Sequence, residues 1–292
     1  MKDYQLITDI KKDEGLRKSF NCLAEMTFDI NFETWYELGY WQDNYIPYSY
    51  VIDNKVIANV SVTKSELVID QEKYRMLQIG TVMTHKEYQK HGLSRKLMEH
   101  VLAEYQDQYD YIYLFANEMV LDFYPKFGFK RLGEMETVVD VSKSKTKKSG
   151  LEKTSFREKK VDIERLISER NQGNIRTYYA DNITLSMFYY STIFTEMTYY
   201  IQELDMYVVF EVEGSRLYLM DILTKRDWVL SDILNYLPIE EIEIIECPFE
   251  LTECSELEMK KELRFIDDDA LFVLGKDLTP FEGIKIPLIG HA

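Results

Sequence analysis

Gln78-Ile79-Gly80-Thr81-Val82-Met83-Thr84-His85-Lys86-Glu87-Tyr88-Gln89-Lys90-His91-Gly92-Leu93-Ser94-Arg95-Lys96-Leu97-Met98-Glu99-His100-Val101-Leu102 changes its periodicity once, and that change decides the fold. Met76 to Thr84 reads as a buried strand. Past Gly92, Leu93, Leu97, Met98, Val101, Leu102 and Tyr105 recur at helical spacing, with Arg95, Lys96, Glu99 and Glu104 on other faces. Gln89 to Ser94 is therefore a turn that carries a strand into the start of a helix. A helix start presents N–H groups without partners and the positive end of the macrodipole, which together make an anion site. Gly92 has no side chain to hold a phosphate off the backbone, and it admits positive φ. Ser94 adds a small hydroxyl. A strand, one glycine and a helix also make an ordinary connection, so the turn gains meaning from its surroundings.

A second segment follows: Tyr111-Ile112-Tyr113-Leu114-Phe115-Ala116-Asn117, then Phe123-Tyr124-Pro125-Lys126-Phe127-Gly128-Phe129-Lys130. Gln89, Gly92 and Ser94 resemble the acyl-CoA-binding motif Q/R-x-x-G-x-G/A of the GNAT superfamily of N-acyltransferases. The second segment resembles that family's fifth strand and the helix after it, ending in a tyrosine and a Gly-Phe turn. Ser94 stands where Gly or Ala is usual, and Lys86 where many relatives carry Pro. The resemblance implies an α/β (α+β) mixed sheet of the GNAT acyltransferase fold. It also implies that the strands near Thr84 and Asn117 splay apart to admit a pantetheine arm.

Acetyl-CoA is the co-substrate that the resemblance implies, with no metal. Its contacts would come from Val82, Met83 and Thr84 on the strand, from Gln89, Lys90, His91, Gly92, Leu93, Ser94 and Arg95 at the turn, and from Asn117. Asn117 is also placed to cap the segment after it. By the same resemblance Tyr124 is the general acid that protonates the departing sulfur; a phenol of pKa about 10 stays protonated at neutral pH. The general base is a gap. Relatives often carry a glutamate on the central strand, where this chain offers Gln78. His85, at the strand's end, is the local alternative, although an exposed loop histidine is its simpler reading. In some two-domain relatives the terminal carboxylate enters the site, and the tail Ile284 to Ala292 is apolar enough to pack inward. The family's acceptor region falls here on Glu33, Trp35, Tyr36, Tyr40, Trp41, Asp43 and Asn44. Carboxylates beside aromatic faces suit an ammonium group, although an amphipathic helix with a solvated acidic face is the simpler reading.

Composition bounds the rest. The chain has 292 residues, 46% apolar and 29% charged, with net charge −16 and 22 tyrosines. Such a charge weighs against a nucleic-acid partner and mildly favours a cationic small-molecule amine. No run of eighteen apolar residues and no signal-peptide core are present, so neither a membrane span nor export is expected and a cytoplasmic location is. Cys22, Cys247 and Cys254 form no CxxC pair and read as buried thiols.

In order, the chain reads as a strand over 1–8, helices over 11–26 and 32–41, and strands over 46–52, 56–62 and 66–70 before the central one. The run Ser142-Lys143-Ser144-Lys145-Thr146-Lys147-Lys148-Ser149-Gly150 reads as an exposed linker. The boundaries expected are an acyl-CoA-binding domain over 1–142, a basic linker over 143–155 and a degenerate GNAT-like domain over 156–292. In the latter, 161–171, 184–194 and 228–236 read as helices, 207–212 and 217–223 as a hairpin across Gly214, and 241–246 and 270–274 as strands. Its equivalent turn, Thr224-Lys225-Arg226-Asp227-Trp228, has no glycine, so no second acyl-CoA site is expected. The function expected is acetyl transfer to a primary amine by a direct ternary complex. A non-catalytic acyl-CoA sensor and a scaffold are the rivals, and a homodimer is left open.

Overall fold

The computed structural model describes residues 3–8, 10–173, 175–180, 183–251 and 257–291. Elements begin where the local chemistry puts them. Helix α1 (Glu14–Phe28) starts at Asp13, whose carboxylate accepts from Leu16 N at 3.0 Å, and stops where Asp29 turns left-handed at φ 58°. Its stripe of Leu16, Phe20, Leu23 and Ala24 is buried. After the short α2 (Glu33–Glu37), β2 (Tyr45–Ile52), β3 (Lys55–Ile69) and β4 (Glu72–Thr84) run antiparallel, with β1 (Gln5–Ile7) beside β2. Strand β3 is one strand of 15 residues where two were expected, because its far end keeps pairing with β4 across the Asp70-Gln71 turn. Helix α3 (Leu93–Glu104) leads to β5 (Tyr111–Ala116), parallel to β4. Between β5 and β6 (Lys130–Arg131) the expected helix is instead two short 3-10 turns, Glu118–Val120 and Tyr124–Phe127; Pro125 removes an N–H that a longer helix would need.

The remaining elements are β7 (Glu134–Asp140), β8 (Leu151–Lys153), α4 (Phe156–Glu169), β9 (Thr177–Ala180), α5 (Ile183–Phe188, followed by a π-turn over Tyr189–Ile193), β10 (Thr198–Ile201), β11 (Met206–Glu213), β12 (Arg216–Leu223), α6 (Leu230–Leu234), β13 (Ile244–Cys247), β14 (Glu258–Arg264) and β15 (Ala270–Leu274). Among the described residues they form two mixed sheets. The first runs β1-β2-β3-β4-β5-β15-β6, with β9 on the far end of β3; the second runs β8-β10-β11-β12-β13-β7-β14. In each, an antiparallel hairpin is followed by a parallel strand, β4 with β5 and β12 with β13. The next place in each sheet is filled from the other half of the chain. Strand β15 inserts between β5 and β6, and β7 inserts between β13 and β14.

The boundary expected at 142/143 therefore does not coincide with the division between sheets. The run 143–155 is also not a free linker: Thr146 donates to Leu237 O, Lys147 and Lys148 N–H donate to Asn235 O at 3.0 and 2.9 Å, and β8 pairs with β10. Strand β15 could be read from its apolar run, but not its neighbours, because pairing across more than a hundred residues leaves no local signal.

The two faces of the first sheet are divided by the strand alternation. Leu77, Ile79, Ile112 and Leu114 pack with Leu93, Leu97, Met98 and Val101 of α3. Met76, Tyr111 and Tyr113 face the other way, into a core shared with α1, α4, α5 and the C-terminal tail. Trp35 Nε1 donates to Thr184 O at 2.9 Å, Phe32 stacks on Phe188 at 5.2 Å, and Ile284 and Ile286 are fully buried in that shared core. Full burial of each isoleucine is worth about 1.5–3 kcal/mol. No helix among the described residues is long and apolar enough to cross a membrane.

A chain ending at residue 142 would leave β5 without β15 and β7 without both neighbours. We expect it to lack a cooperative thermal transition and near-ultraviolet circular dichroism; a sharp melt would show that the exchange is dispensable.

Candidate functional site

The site begins with a bulge. Ser61 pairs with Gly80 and Asn59 with Met83, so β4 carries an extra residue opposite β3, and Thr81 takes φ 48°. Two buried contacts hold it there: Asn59 Nδ2 donates to Thr81 O at 2.9 Å, and the Tyr45 and Thr81 hydroxyls lie 2.8 Å apart. The parallel pairing of β4 with β5 covers only Met76–Gln78 against Tyr111–Tyr113. Beyond it the strands part, so the backbone of Val82, Met83 and Thr84 borders a fork rather than a ladder.

The turn into α3 is tied to the strand end. The Thr84 and Ser94 hydroxyls lie 2.7 Å apart, and Gln89 Nε2 donates to Thr84 O at 3.3 Å. Lys90 and Gly92 are both left-handed, at φ 64° and 72°, and a Cβ placed on Gly92 would meet nothing within 4 Å. Lys96 N is the first helical donor, to Gly92 O at 3.1 Å, so the N–H groups before it face the turn. His91 and Arg95 are exposed; Arg95 lies 4.0 Å from Glu99 and 5.7 Å over the Phe127 ring. Leu93 and Met83 are core residues, which leaves only their backbone to a ligand. Asn117 accepts from Met119 N at 3.2 Å, a capping role.

Tyr124 lies on the α3 face, 5% exposed, against Phe123, Phe129 and, from β15, Phe272 at 5.7 Å. Its hydroxyl has no hydrogen-bond partner among the described residues, and burial pushes its pKa up to about 12. The phenol is thus protonated across the neutral range. His85 is fixed differently: its N–H donates to Ile57 O at 2.9 Å and its Nδ1 accepts from Glu87 N at 3.4 Å. In the neutral ring that places the proton on Nε2, so His85 has no lone pair left for a base. Its geometry is that of a cap.

The expected acceptor residues are mostly engaged by the protein. Arg17 meets the Glu33 carboxylate with Nε at 3.0 Å and Nη2 at 2.9 Å, and Asn21 adds a bond at 2.9 Å. The same guanidinium covers the Tyr36 ring at 3.7 Å. Trp35 and Trp41 are buried and stacked at 5.8 Å, Tyr40 is buried under Lys160, and Asp43 is exposed and paired with Lys11. A short polar-aromatic helix thus resembles a cation site in sequence while its side chains serve the core; Glu33 and Trp35 are engaged within the protein, whereas Asp43 lies at the surface beside Lys11. Trp41 Nε1 and Asn44 Oδ1 are the buried polar atoms of this region without a partner among the described residues.

What the sequence did not place is the tail. Gln78 donates to Gly290 O at the point where β4 and β5 part, and Tyr113 OH donates to the same oxygen at 3.2 Å. Tyr113 and Tyr179 hydroxyls lie 2.7 Å apart, and a Cβ on Gly290 would lie 2.0 Å from the Tyr179 oxygen. His291 stacks on Phe115 at 3.6 Å, with Nδ1 2.9 Å from Asp269 and its carbonyl accepting from Tyr189. Burial pushes the Asp269 carboxyl up, but the His291 bond and charge and the Lys285 charge outweigh it, so it lies below its ordinary 3.8. The apolar tail and a glutamine at the glutamate position were the signals available. The expected role of the terminal carboxylate falls on Ala292, and the reading of Cys254 as a buried thiol on that residue; both lie outside the described residues. Cys247 is buried on β13, whereas Cys22 is exposed, contrary to the reading of it as a buried thiol. No group of three or more His, Cys, Asp or Glu among the described residues could hold a metal ion.

A family model described as an acetyltransferase (GNAT) domain matches residues 23–132, a span that holds the bulge, the Gly92 turn, the fork and Tyr124. Over that span the chain is similar to a GNAT domain. No curated protein matches the sequence. Among solved structures, a conserved protein from Enterococcus faecalis V583 described as a probable N-acyltransferase is similar over 96% of this chain and 74% of its own, at TM-score 0.61 and 13% identity. A GCN5-related N-acetyltransferase from Anabaena variabilis is similar over 92% and 72%, at 0.58 and 15%. Eis1 from Mycobacterium abscessus is similar over 92% and 72%, at 0.55 and 12%. At these identities the likeness is one of fold, and it extends over both sheets rather than over the GNAT domain alone.

Because the folded Asp269 carboxyl titrates below its ordinary value, its contribution is full above that value and is lost as pH falls through the lowered one. Asp269→Asn removes the charge at all pH. We expect faster hydrogen exchange at the Gly290 and His291 amides and little change elsewhere; unchanged exchange there would show that Asp269 does not hold the tail.

Proposed function

We propose that the chain is an N-acetyltransferase that moves an acetyl group from acetyl-CoA to a primary amine of a small cationic acceptor, within one ternary complex. The observation that carries this reading is the Gly92 turn: a left-handed glycine with open space at its Cβ position, opening α3 beside a fork between two parallel strands. Backbone N–H groups of Gly92, Leu93, Ser94 and Arg95 would hold the diphosphate, with Gln89, Lys90 and His91 around it and Asn117 across the fork. The edge of Val82, Met83 and Thr84 would hold the pantetheine arm.

In this reading the amine nitrogen attacks the thioester carbonyl, the tetrahedral adduct collapses, and the carbon–sulfur bond breaks. Tyr124 gives its proton to the sulfur as thiolate character develops. Its unpartnered hydroxyl and raised pKa suit a donor and not a base. The proton lost by the amine is left to solvent, since Gln78 cannot accept one and the His85 lone pair caps a turn. The net charge of −16 favours encounter with a cation, and Trp41 and Asn44 are the expected acceptor residues that keep a polar atom without a partner among the described residues, Nε1 and Oδ1.

Gln78 also favours a second reading, a coenzyme-binding sensor without turnover. The position that could have carried a carboxylate is engaged in holding Gly290. Coenzyme A release over a panel of diamines, polyamines and amino acids, run beside thermal shift with acetyl-CoA, separates the two; a shift without release favours the sensor.

Tyr124→Phe is expected to lower turnover by about 10²-fold with acetyl-CoA Kd unchanged. Gly92→Val should weaken acetyl-CoA binding at least tenfold, since a β-branched side chain at this φ both strains the turn and fills the approach to its amides (about 1.4 kcal/mol or more). Coenzyme uptake by Gly92→Val equal to that of the unaltered chain would refute the assignment of the turn.

A further inference from the structure

Strand β14 lies at one end of the second sheet and has seven residues, whereas β1, β6 and β8 at the other sheet ends have three, two and three. Among the described residues no strand pairs with its outer side, and every one of its residues except Met259 is exposed. It contains no proline, and its register with β7 is unbroken from Glu258 to Arg264. Such an edge presents a row of N–H and C=O groups to any strand that comes alongside. Apolar side chains lie open at the same place, with Leu263 50% and Phe265 59% exposed.

Lysines on an edge ordinarily repel a second chain. The order of charges along β14 does the opposite for one partner, a second copy of itself. A two-fold axis between antiparallel copies sets one residue opposite itself, and every pair is then formed twice. With Lys261 on the axis, Glu258 comes opposite Arg264 and Lys260 opposite Glu262 on one face. On the other face Met259 comes opposite Leu263, and one step beyond the strand ends Leu257 comes opposite Phe265. Lys261 meets its own copy, but each of the two is offset by Glu250 at 3.1 Å. Neighbouring registers fail: an axis at Lys260 sets Glu258 against Glu262, and one at Glu262 sets Lys260 against Arg264. The inner side of the strand supplies a second cause. Against β7, Glu258 lies opposite Asp140 and Glu262 opposite Glu136, like-charge pairs that a cation arriving on the outer side relieves. We infer that β14 binds β14 of a second copy of this chain, antiparallel about Lys261, so that the second sheets of two copies become continuous. This contact is separate from the acyl-transfer reading and does not depend on it.

The test is sedimentation of the full chain over roughly 1 to 100 µM, the range suited to an interface of this small size. A dimer is expected, and added salt should weaken it. Lys260→Glu opposes two carboxylates at each of the two equivalent pairs, and Glu262→Lys opposes two ammonium groups. Each substitution should weaken self-association about tenfold or more. Both side chains are exposed, so both variants should keep the circular dichroism and melting of the unaltered chain. Mixed in equal amounts, the two variants should associate with each other, because opposite charges then meet at both pairs. For the same reason a chain carrying Lys260→Glu and Glu262→Lys together should dimerise with itself. The proposal is overturned if the chain stays monomeric over this range, if it forms a dimer that neither single substitution weakens, or if the mixture associates no better than either variant alone.

Discussion

Three residue pairs hold β4 to β5, and where that pairing stops sets what each side of the sheet can do. A parallel ladder continued to Thr84 and Ala116 would close the sheet and leave no way through it. The bulge at Thr81, fixed by Asn59 and Tyr45, turns β4 away before that can happen. The chain then enters α3 through two left-handed residues, which aims a helix start at the opening. Tyr124 is brought to the same side by β5, its following turns and the β15 residue Phe272.

On the opposite side the fork is met by the tail. Gln78, Tyr113, Tyr179 and Tyr189 all direct polar groups at Gly290 or His291, or at one another, and all are buried. Buried hydroxyls and amides need partners, and here Tyr189, Tyr113 and Gln78 find them 102, 177 and 212 residues away in sequence. The second half is therefore not an appendage to a finished GNAT domain. It supplies the floor beneath the fork, and its own sheet repeats the strand order of the first without a glycine turn at the matching place.

The parts legible in the sequence were those with short-range causes. The strand-to-helix change at Gly92, the buried stripe of α1, the β11–β12 hairpin and the apolar run of β15 each follow from neighbours within a few residues. The GNAT resemblance could be drawn from two such segments. Illegible were the pairings between distant residues. Glu33 looked available for a ligand because nothing nearby in sequence announces Arg17 and Asn21 as its partners. Trp35 and Trp41 looked like a cation-binding face because a buried aromatic cluster and a ligand cage have the same composition. His85 was read by residue type, and its role as a cap depends on the backbone of Glu87. The strand exchange was beyond reach for the same reason: a strand's apolarity says that it is central, not in which sheet.

The exchange of β7 and β15 has a consequence for synthesis. The ribosome releases the first half with a slot open between β5 and β6, and Ala270–Leu274, which fills it, follows every strand of the second sheet in chain order. Until then the early sheet holds two raw edges, whereas β7, the strand that the second sheet takes from the first half, precedes all of that sheet's other strands. Neither half carries all the strands of its own sheet, so a cut between the halves would part β15 from β5 and β7 from β13 and β14. What duplication of a unit would have left separable, the crossing strands have made a single topological object.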